Sequence, residues 1–299
     1  MKKILSILLL VALVSSIAIF AVGCTPEETL YEGALTKEEA EELLFGQNKA
    51  FALMDKSVNF SVEYKATEGV AHGEQVAGEA KLILDETDGA NFVSVYANSS
   101  LVEGNSRQNS IAYMFLSWEE NKRGDLEKTL VYATSYSETA DAGEPSWQEY
   151  SSSAIDSTVK QTQLALIANS GAHTGTRLIR ENIYNQNDDV YDTIQVTGKA
   201  FYSDEALTQH VKTEIVITYN YLNDEDVRIY GTATVVLENK EVKLVDGTTA
   251  TSLAITSITI LEEGGPNFVA TYTYGVNELG APTKDNYQTA WPEAYRIAQ

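Results

Sequence analysis

The sequence predicts a mainly β protein with two α-helices, in which long antiparallel strands form a curled sheet or half barrel covered by the two amphipathic helices. Apolar and polar residues alternate over most of 58–137 and 190–275, as in strands buried on one side. Within each of these runs no helix of crossover length separates the strands, so neighbours are expected to pair antiparallel. Several strands are unusually long, and a sheet of about ten such strands must twist and curl.

The first 23 residues have the pattern of a secretory signal peptide. Lys2 and Lys3 precede an apolar run over 4–20, which is shorter than the roughly 20 residues of a membrane-spanning helix. Small residues follow this run and lead directly to Cys24, the only cysteine in the chain. The pattern favours cleavage of the segment over its retention as a span.

The four residues Ala21-Val22-Gly23-Cys24 resemble the lipobox of bacterial lipoproteins, in which the cysteine thiol receives a diacylglyceryl group before cleavage. That family most often has leucine where this chain has Ala21. The resemblance implies cleavage between Gly23 and Cys24, lipidation of Cys24, and an extracytoplasmic body anchored to the cell membrane. A thioether also accounts for a lone thiol in an oxidising compartment, and two acyl chains make a durable anchor. The alternative is cleavage elsewhere, which leaves a free thiol.

Charge excludes one large class of partner. Loss of Lys2 and Lys3 with the signal leaves 19 basic and 43 acidic side chains, a net charge of −24. Nucleic-acid binding requires clustered lysine and arginine, whereas the basic residues here are few and scattered. The same charge repels anionic lipid headgroups, so contact with the membrane is expected through the N-terminal lipid alone.

The elements follow in order along the chain. Residues 24–35 are expected to be a tether and residues 36–299 a single β-rich extracytoplasmic domain, with possible halves at 36–138 and 153–275. Thr36 and Glu39 have the spacing of a capping box at the start of a helix over 36–54. Apolar spacing predicts a second helix over 153–169. Strands are expected over about 58–65, 75–85, 91–98, 107–118, 128–137, 190–202, 210–222, 227–239, 241–246, 250–261 and 267–275.

Two strand pairs echo each other at a constant offset of 153 residues. Six residues of the first pair match six of the second in type: Val58, Val62, Gly78, Ala80, Leu82 and Leu84 match Val211, Ile215, Gly231, Ala233, Val235 and Leu237. The echo indicates either a duplicated hairpin or ordinary strand sequence.

A helix followed by long meandering strands, in a lipid-anchored extracytoplasmic protein, is similar to the architecture of the lipoprotein-carrier superfamily of the LolA type. The resemblance covers residues 36–275 and implies an apolar cavity for acyl chains. It implies that Gly78, Ala80, Gly231 and Ala233 leave room for a lipid tail or a helix, although glycine in a long strand also marks a bend. The residues expected to contact the ligand are Ala80, Leu82, Ile215, Ile217, Ala233 and Val235.

No catalytic residue is expected. Ser157 and Lys160 have the Ser-x-x-Lys spacing of penicillin-binding proteins and serine β-lactamases, and 173–175 resembles a further motif of that family. Only about a dozen residues separate the two strings, where the family interposes most of a domain. One Ser-x-x-Lys is also expected by chance in a chain of this composition. We therefore predict that the protein is not an enzyme.

No metal or cofactor is expected either. The three histidines, His72, His173 and His210, do not have the spacing of metal ligands. Acidic turns at 85–89, 188–192 and 223–226 contain oxygen ligands that calcium prefers, but hairpin turns use the same residues for backbone reasons.

These observations lead to two functional hypotheses. The first is a membrane-anchored extracytoplasmic lipoprotein that binds an apolar or amphiphilic ligand inside the curled sheet. The alternative is a cell-envelope module that binds a protein or polysaccharide through its acidic, tyrosine-rich outer face and holds no internal ligand.

Overall fold

The computed structural model describes residues 30–68, 74–85, 92–102, 109–120, 126–137, 146–150, 173–184, 191–222, 225–264 and 267–280. Within these ranges the chain is mainly β, and 13 strands form one antiparallel sheet that curls without closing. Two helical units accompany the sheet. The structure therefore confirms the fold class predicted from the period-two pattern.

The strands are numbered in chain order. They are β1 (Tyr31–Leu35), β2 (Ser57–Val58), β3 (Phe60–Glu68), β4 (Glu74–Asp85), β5 (Phe92–Val102), β6 (Asn109–Glu120), β7 (Leu126–Ser137), β8 (Ser146–Tyr150), β9 (Tyr191–Tyr202), β10 (His210–Leu222), β11 (Arg228–Leu244), β12 (Thr249–Glu262) and β13 (Asn267–Tyr274). Their order in the sheet is β1-β9-β10-β11-β12-β13-β3-β4-β5-β6-β7-β8, and β2 pairs with β11. The strands β1 and β8 are the two ends of this order, which is why the sheet has open edges.

The first helical unit has two helices, α1 (Lys37–Phe45) and α2 (Ala50–Met54). The predicted capping box is present: the Glu39 amide donates to Thr36 Oγ1 (3.2 Å), and the Thr36 amide donates to Glu39 Oε2 (2.8 Å). The single helix predicted over 36–54 is wrong in its continuity, because α1 ends at Gly46 and Asn48 has a φ of 61°. Glycine weakens a helix interior, and a left-handed residue cannot continue it.

The second helical unit is α3 (Thr174–Arg177), which continues as a π-helix over Leu178–Tyr184. π-Helices are rare and occur mostly as single-turn bulges within α-helices, frequently at functional sites. The helix predicted over 153–169 lies outside the described residues.

The predicted tether contains a strand. Residues 31–35 form β1, in which Tyr31 pairs with Tyr202 and Leu35 with Gly198. A Cβ on Gly198 would lie 3.0 Å from Leu35 Cδ1 and 3.2 Å from Ala40 Cβ, so the glycine makes room for β1 and α1 together. Residues 31–35 of the expected tether, which spans 24–35, are therefore part of the sheet.

Two further boundaries differ from prediction. The segments predicted over 227–239 and 241–246 are one strand, β11, because its pairing with β12 continues through Lys240 and Ser252. The edge strand β8 lies between the two possible halves, 36–138 and 153–275.

The two echoing hairpins differ in register. Val62 pairs with Ala80, but Ile215, which stands 153 residues after Val62, pairs with Val235 rather than Ala233. The pairing is thus shifted by two residues between the hairpins. Each glycine of the echo nonetheless faces a tyrosine: Gly78 pairs with Tyr64 and Gly231 with Tyr219.

One apolar core cluster lies between the inward face of the sheet and the helices. Its largest fully buried side chains come from both, and include Leu44, Phe51 and Met54 of the helices and Phe60 and Phe268 of the sheet. Of the helices that the structure describes, none has the length and hydropathy needed to span a bilayer. The predicted signal peptide, Gly23 and Cys24 lie outside the described residues.

Candidate functional site

The six residues predicted to contact a ligand lie in one apolar surface. Ala80, Leu82, Ile215, Ile217, Ala233 and Val235 are all buried in the same core cluster. Successive residues of a strand point to opposite faces, and each of these six positions is even-spaced from the others on its own strand. We call the inward-facing residues of β3, β4 and β9–β13 the floor.

The floor is ordered in rows that cross the strands, because residues opposite each other in an antiparallel pair share a face. One row contains Ile217, Ala233, Ile260, Phe268 and Ala66. The next row contains Gly198, Ile215, Val235, Ile258, Ala270, Tyr64 and Gly78. Beyond it lie a row with Tyr272, Val62 and Ala80 and a row with Tyr274, Phe60 and Leu82. The predicted residues thus occupy four adjacent rows.

The helices α1, α2 and α3 with the π-helical segment form what we call the helical cover. The cover packs mainly on β9, β12 and β13. Gly175 of α3 lies close against the floor, because a Cβ there would lie 2.8 Å from Phe268 Cε1 and 2.9 Å from Ile258 Cδ1. The floor beneath the cover is consequently filled by the protein's own side chains.

Contacts between the two helical units hold the cover together. The rings of Phe45 and Phe51 meet edge to face at 5.1 Å, and Phe45 lies 4.5 Å from the ring of Tyr184. Arg180 donates two hydrogen bonds to the Asp55 carboxylate, at 2.9 and 3.1 Å, and its guanidinium lies 5.5 Å from the Phe51 ring centre. The two side chains of the ion pair are 35% and 44% exposed, so the pair contributes about 1 kcal/mol or less.

Some buried polar atoms lack hydrogen-bond partners among the described residues where the cover meets the sheet. Four buried side-chain atoms of the described residues have no hydrogen-bond partner: His173 Nδ1, Arg180 Nε, Tyr184 Oη and Tyr272 Oη. Three of them belong to α3, its N-terminal flank or the π-helical segment, and the fourth lies on β13, against which α3 packs. Each unpaired buried group costs about 1–3 kcal/mol.

Burial also shifts the pKa values of these groups. It lowers the pKa of the His173 imidazole, an effect that Asp55 opposes and Arg180 and Arg177 reinforce. It raises the pKa of the Tyr272 hydroxyl, which is therefore neutral and able to donate a hydrogen bond. Burial likewise raises the pKa of Tyr184, with Glu41 adding to the effect.

A polar group lies at one end of the floor, two residues beyond Ile217. Tyr219 Oη donates to Glu262 Oε1 (2.7 Å), and Tyr221 Oη donates to Glu262 Oε2 (3.2 Å). The Tyr219 ring covers Gly231, where a Cβ would lie 2.6 Å from the tyrosine Oη. Residue 231 must therefore be glycine, because the Tyr219 ring occupies the space of a side chain there. This is a third explanation for the glycine, beside a bend in the strand and space for a ligand.

The outer face of the sheet presents exposed apolar side chains. Tyr230, Leu261 and Val269 are 52%, 51% and 44% exposed. A groove of about 300 Å³ lies on the β10 side of Tyr230, and one of about 280 Å³ lies on its β12 side.

The residues considered for catalysis or metal binding do not come together in the described parts of the chain. Ser157, Lys160 and His72 lie outside those parts. His173 precedes α3, whereas His210 contacts Thr213 Oγ1 at 2.8 Å through Nε2. Among the described residues no group of three or more His, Cys, Asp or Glu side chains is placed to hold a metal ion.

Sequence reasoning missed Tyr272, Gly175 and the Arg180–Asp55 pair. Tyr272 lies in the strand predicted over 267–275, and only the structure shows that its hydroxyl has no partner among the described residues. The small residue Gly175 was read as part of a catalytic motif, although its space is required by Phe268 and Ile258.

The chain matches no protein-family model, no curated protein and no solved structure.

Proposed function

We propose that this protein is a membrane-anchored extracytoplasmic lipoprotein that binds an apolar or amphiphilic ligand on the floor of its curled sheet. The helical cover occupies the floor in the ligand-free protein. The ligand takes the place of part of this cover, and the six residues from Ala80 to Val235 identified above contact it.

The observation that carries this proposal is the contrast between floor and cover. The floor is continuous and apolar over four rows, whereas the cover consists of short helices that, together with His173 at the start of α3, hold three buried polar atoms without a partner among the described residues. Displacing the cover exposes those polar atoms to water, which recovers part of their desolvation cost. An apolar ligand meanwhile keeps the floor out of water, and each buried methylene contributes about 0.8 kcal/mol.

Native mass spectrometry tests the ligand directly. The mature chain carrying Cys24→Ser, expressed in a bacterium and purified without detergent, is expected to retain a co-purified amphiphile. Ala233→Met fills the floor and is expected to lower its occupancy, while overpacking costs about 1–3 kcal/mol of stability. Thr234→Met is the matched control, because residue 234 lies on the other face of β11. A ligand-free wild-type mass that no added amphiphile changes would refute the proposal.

The anchor is tested separately. Wild-type protein in growing cells is expected to incorporate labelled palmitate and to fractionate with the membrane, whereas Cys24→Ala does neither. Unlabelled wild-type protein with a first residue other than Cys24 would contradict the anchor without bearing on ligand binding.

A second candidate function rests on a different observation, the filled floor beneath the cover together with the exposed outer face. In this reading the outer face binds a cell-envelope polysaccharide or protein, with Tyr230 between its two grooves as an aromatic platform. Cosedimentation with purified peptidoglycan tests the polysaccharide form. Tyr230→Ala is expected to abolish cosedimentation while Ala233→Met leaves it unchanged, and equal loss in both variants would exclude an outer-face site.

A further inference from the structure

One end of the sheet lies next to the point where the chain leads back to Cys24. Tyr31 of β1 pairs with Tyr202 at the end of β9, and Tyr202 also pairs with His210 at the start of β10. The loop over 203–209, which joins β9 to β10, therefore lies at the same end of the sheet as Tyr31. We call Tyr31, Tyr202, this loop and the first residues of β10 the tether end.

The length of the N-terminal segment limits how far the tether end can lie from an anchor at Cys24. Six residues separate Cys24 from Tyr31. Because an extended chain spans at most about 3.6 Å per residue, this segment reaches about 25 Å. The strand β10, from His210 to Leu222, is about 40 Å long. An anchor at Cys24 thus keeps the tether end within about 25 Å of the bilayer, whereas the opposite end of the sheet can lie well beyond that distance.

The tether end presents apolar side chains to solvent beside two tyrosines. Leu207 is 41% exposed and Val211 is 39% exposed. A Cβ on Gly33 would lie 3.3 Å from Tyr202 Cε2 and 3.9 Å from Leu207 Cδ1, so both side chains lie against β1. Tyr31 and Tyr202 are half-buried, and tyrosine is enriched where proteins meet the interface between bilayer and water. The side-chain types at the tether end therefore suit a bilayer interface.

The backbone at Leu207 is strained. Its φ is 56°, and the other three non-glycine residues of the described chain with a positive φ are asparagine or aspartate, which tolerate this conformation. Asp204 fixes the loop, because its carboxylate accepts hydrogen bonds from the amides of Thr208 (2.9 Å) and Gln209 (2.7 Å). A bulky residue that its surroundings hold in the left-handed region indicates a functional constraint.

We propose that the tether end is a docking surface for the headgroup interface of a zwitterionic bilayer, with Leu207 as its central contact. The inference rests on the anchor at Cys24 in the proposed function, and adds an orientation of the body and a second, non-covalent contact with the membrane.

Charge at the tether end determines which bilayer it fits. The net charge of the chain led us to expect contact through the lipid alone, but at this end Glu32 is paired with Lys199 at 2.7 Å. Asp204 and Glu205 add negative charge to the loop. Zwitterionic headgroups accept an apolar surface with acidic neighbours, whereas anionic headgroups repel the loop.

Fluorescence quenching on vesicles tests the docking surface. Once Cys24 is lipidated the chain has no other thiol, so one introduced cysteine takes an environment-sensitive dye. Val211→Cys reports on the tether end, and Val227→Cys, at a residue 51% exposed at the opposite end of the sheet, is the matched control. On phosphatidylcholine vesicles with a nitroxide at headgroup depth, we expect quenching of the dye at 211 alone. Equal quenching at both positions, or none at either, would overturn the docking surface.

Two leucines of similar exposure separate contact with the bilayer from packing. Leu207→Asn is expected to lower the ratio of docked to undocked protein at least about threefold, which corresponds to burial of the exposed two-fifths of a leucine side chain. Leu222→Asn, at a leucine 44% exposed at the opposite end, is expected to leave quenching at 211 unchanged. Because asparagine tolerates a positive φ, Leu207→Asn is also expected to keep or raise Tm. A lower Tm with unchanged quenching would assign Leu207 to packing on β1 and overturn its role in docking.

A change of headgroup tests the chemistry of the surface. Replacing part of the phosphatidylcholine by phosphatidylglycerol is expected to weaken quenching at 211, because Asp204 and Glu205 then meet like charges. Stronger quenching on the anionic vesicles would contradict a docking surface built from Leu207 and the tyrosines.

A tagged protein makes failure of docking and failure of the anchor distinguishable. The mature Cys24→Ser chain with an N-terminal polyhistidine tag is bound to vesicles that contain a nickel-chelating lipid, and the same two dye positions are compared. If wild-type protein takes up no palmitate but the tagged protein is quenched at 211 alone, the anchor fails and the docking surface stands. If the lipidated protein is anchored and neither form is quenched at 211, the anchor stands and the docking surface is wrong.

Discussion

Gly231→Ala tests how tightly the polar end of the floor is built. The added Cβ would overlap Cζ of the Tyr219 ring and lie 2.6 Å from its Oη. Tyr219 is a rigid ring, 3% exposed, so it cannot yield by a small rotation of a flexible end. The ring must leave Gly231, and its 2.7 Å hydrogen bond to Glu262 is then lost.

The magnitude follows from those two losses. A hydrogen bond to a charged acceptor contributes about 1.5–3 kcal/mol, and overpacking in a packed interior costs about 1–3 kcal/mol. The glycine-to-alanine change itself returns about 0.4–1 kcal/mol by restricting the unfolded chain. We therefore expect Gly231→Ala to lower the free energy of unfolding by about 3 kcal/mol.

Urea denaturation followed by circular dichroism measures this change, and a double-mutant cycle identifies its cause. In the Tyr219→Leu background the atoms that clash with a Cβ at 231 are absent, so the added cost of Gly231→Ala is expected to fall below about 1 kcal/mol. A loss below 1 kcal/mol in the wild-type background, or the same loss in both backgrounds, would refute the packing of Tyr219 on Gly231.

Three further predictions concern the helical cover. Asp55→Asn weakens the ion pair with Arg180 and is expected to lower the free energy of unfolding by about 1 kcal/mol or less, measured by urea denaturation. The same variant is expected to raise the rate at which a bound amphiphile exchanges, measured by stopped-flow fluorescence. An unchanged exchange rate would contradict a role for this pair in the cover. Burial lowers the pKa of His173, so the unfolded chain binds a proton at this residue at a higher pH than the folded protein does. The free energy of unfolding of the wild type therefore contains a contribution from His173 that is lost as the pH falls below about 6.5. The slope of this loss is at most about 1.4 kcal/mol per pH unit. Subtracting the pH profile of His173→Gln from that of wild type isolates the term, and a flat difference between pH 8 and 5 would contradict it. Thr36→Ala removes the capping box with Glu39 and is expected to cost about 1 kcal/mol in the same urea assay; no measurable loss would show that α1 is held by its packing alone.

The fold class was predictable because period-two alternation requires only local sequence. The alternation did not reveal β1. Its five residues were predicted to belong to a tether, and only the structure shows Leu35 paired with Gly198. Gly46 signals the break between α1 and α2, but the left-handed conformation of Asn48 that completes the break is seen only in the structure. Elements that depend on distant partners are the ones that the sequence pattern did not reveal.

The candidate site, like the fold, could be predicted from the sequence only in part. That Ala80, Ile215 and Ala233 share a face follows from alternation, and the structure places them in one core cluster. Tyr274 has a hydrogen-bond partner because the Ile255 carbonyl, 19 residues earlier in the chain, lies within its reach, whereas the Tyr272 hydroxyl has no partner among the residues that the structure describes. Hydrogen-bond satisfaction is a property of three-dimensional neighbours, and no local pattern of residue types predicts it.

Hydrogen–deuterium exchange tests most directly whether a ligand replaces the helical cover on the floor. The mature Cys24→Ser protein is measured with and without a saturating monoacylglycerol. We predict that amides of the π-helical segment over Leu178–Tyr184 exchange faster when the ligand is bound, while those of β4 and β13 remain protected. Ligand binding that leaves exchange in this segment unchanged, and instead protects the outer-face neighbours of Tyr230 on β11, would contradict it.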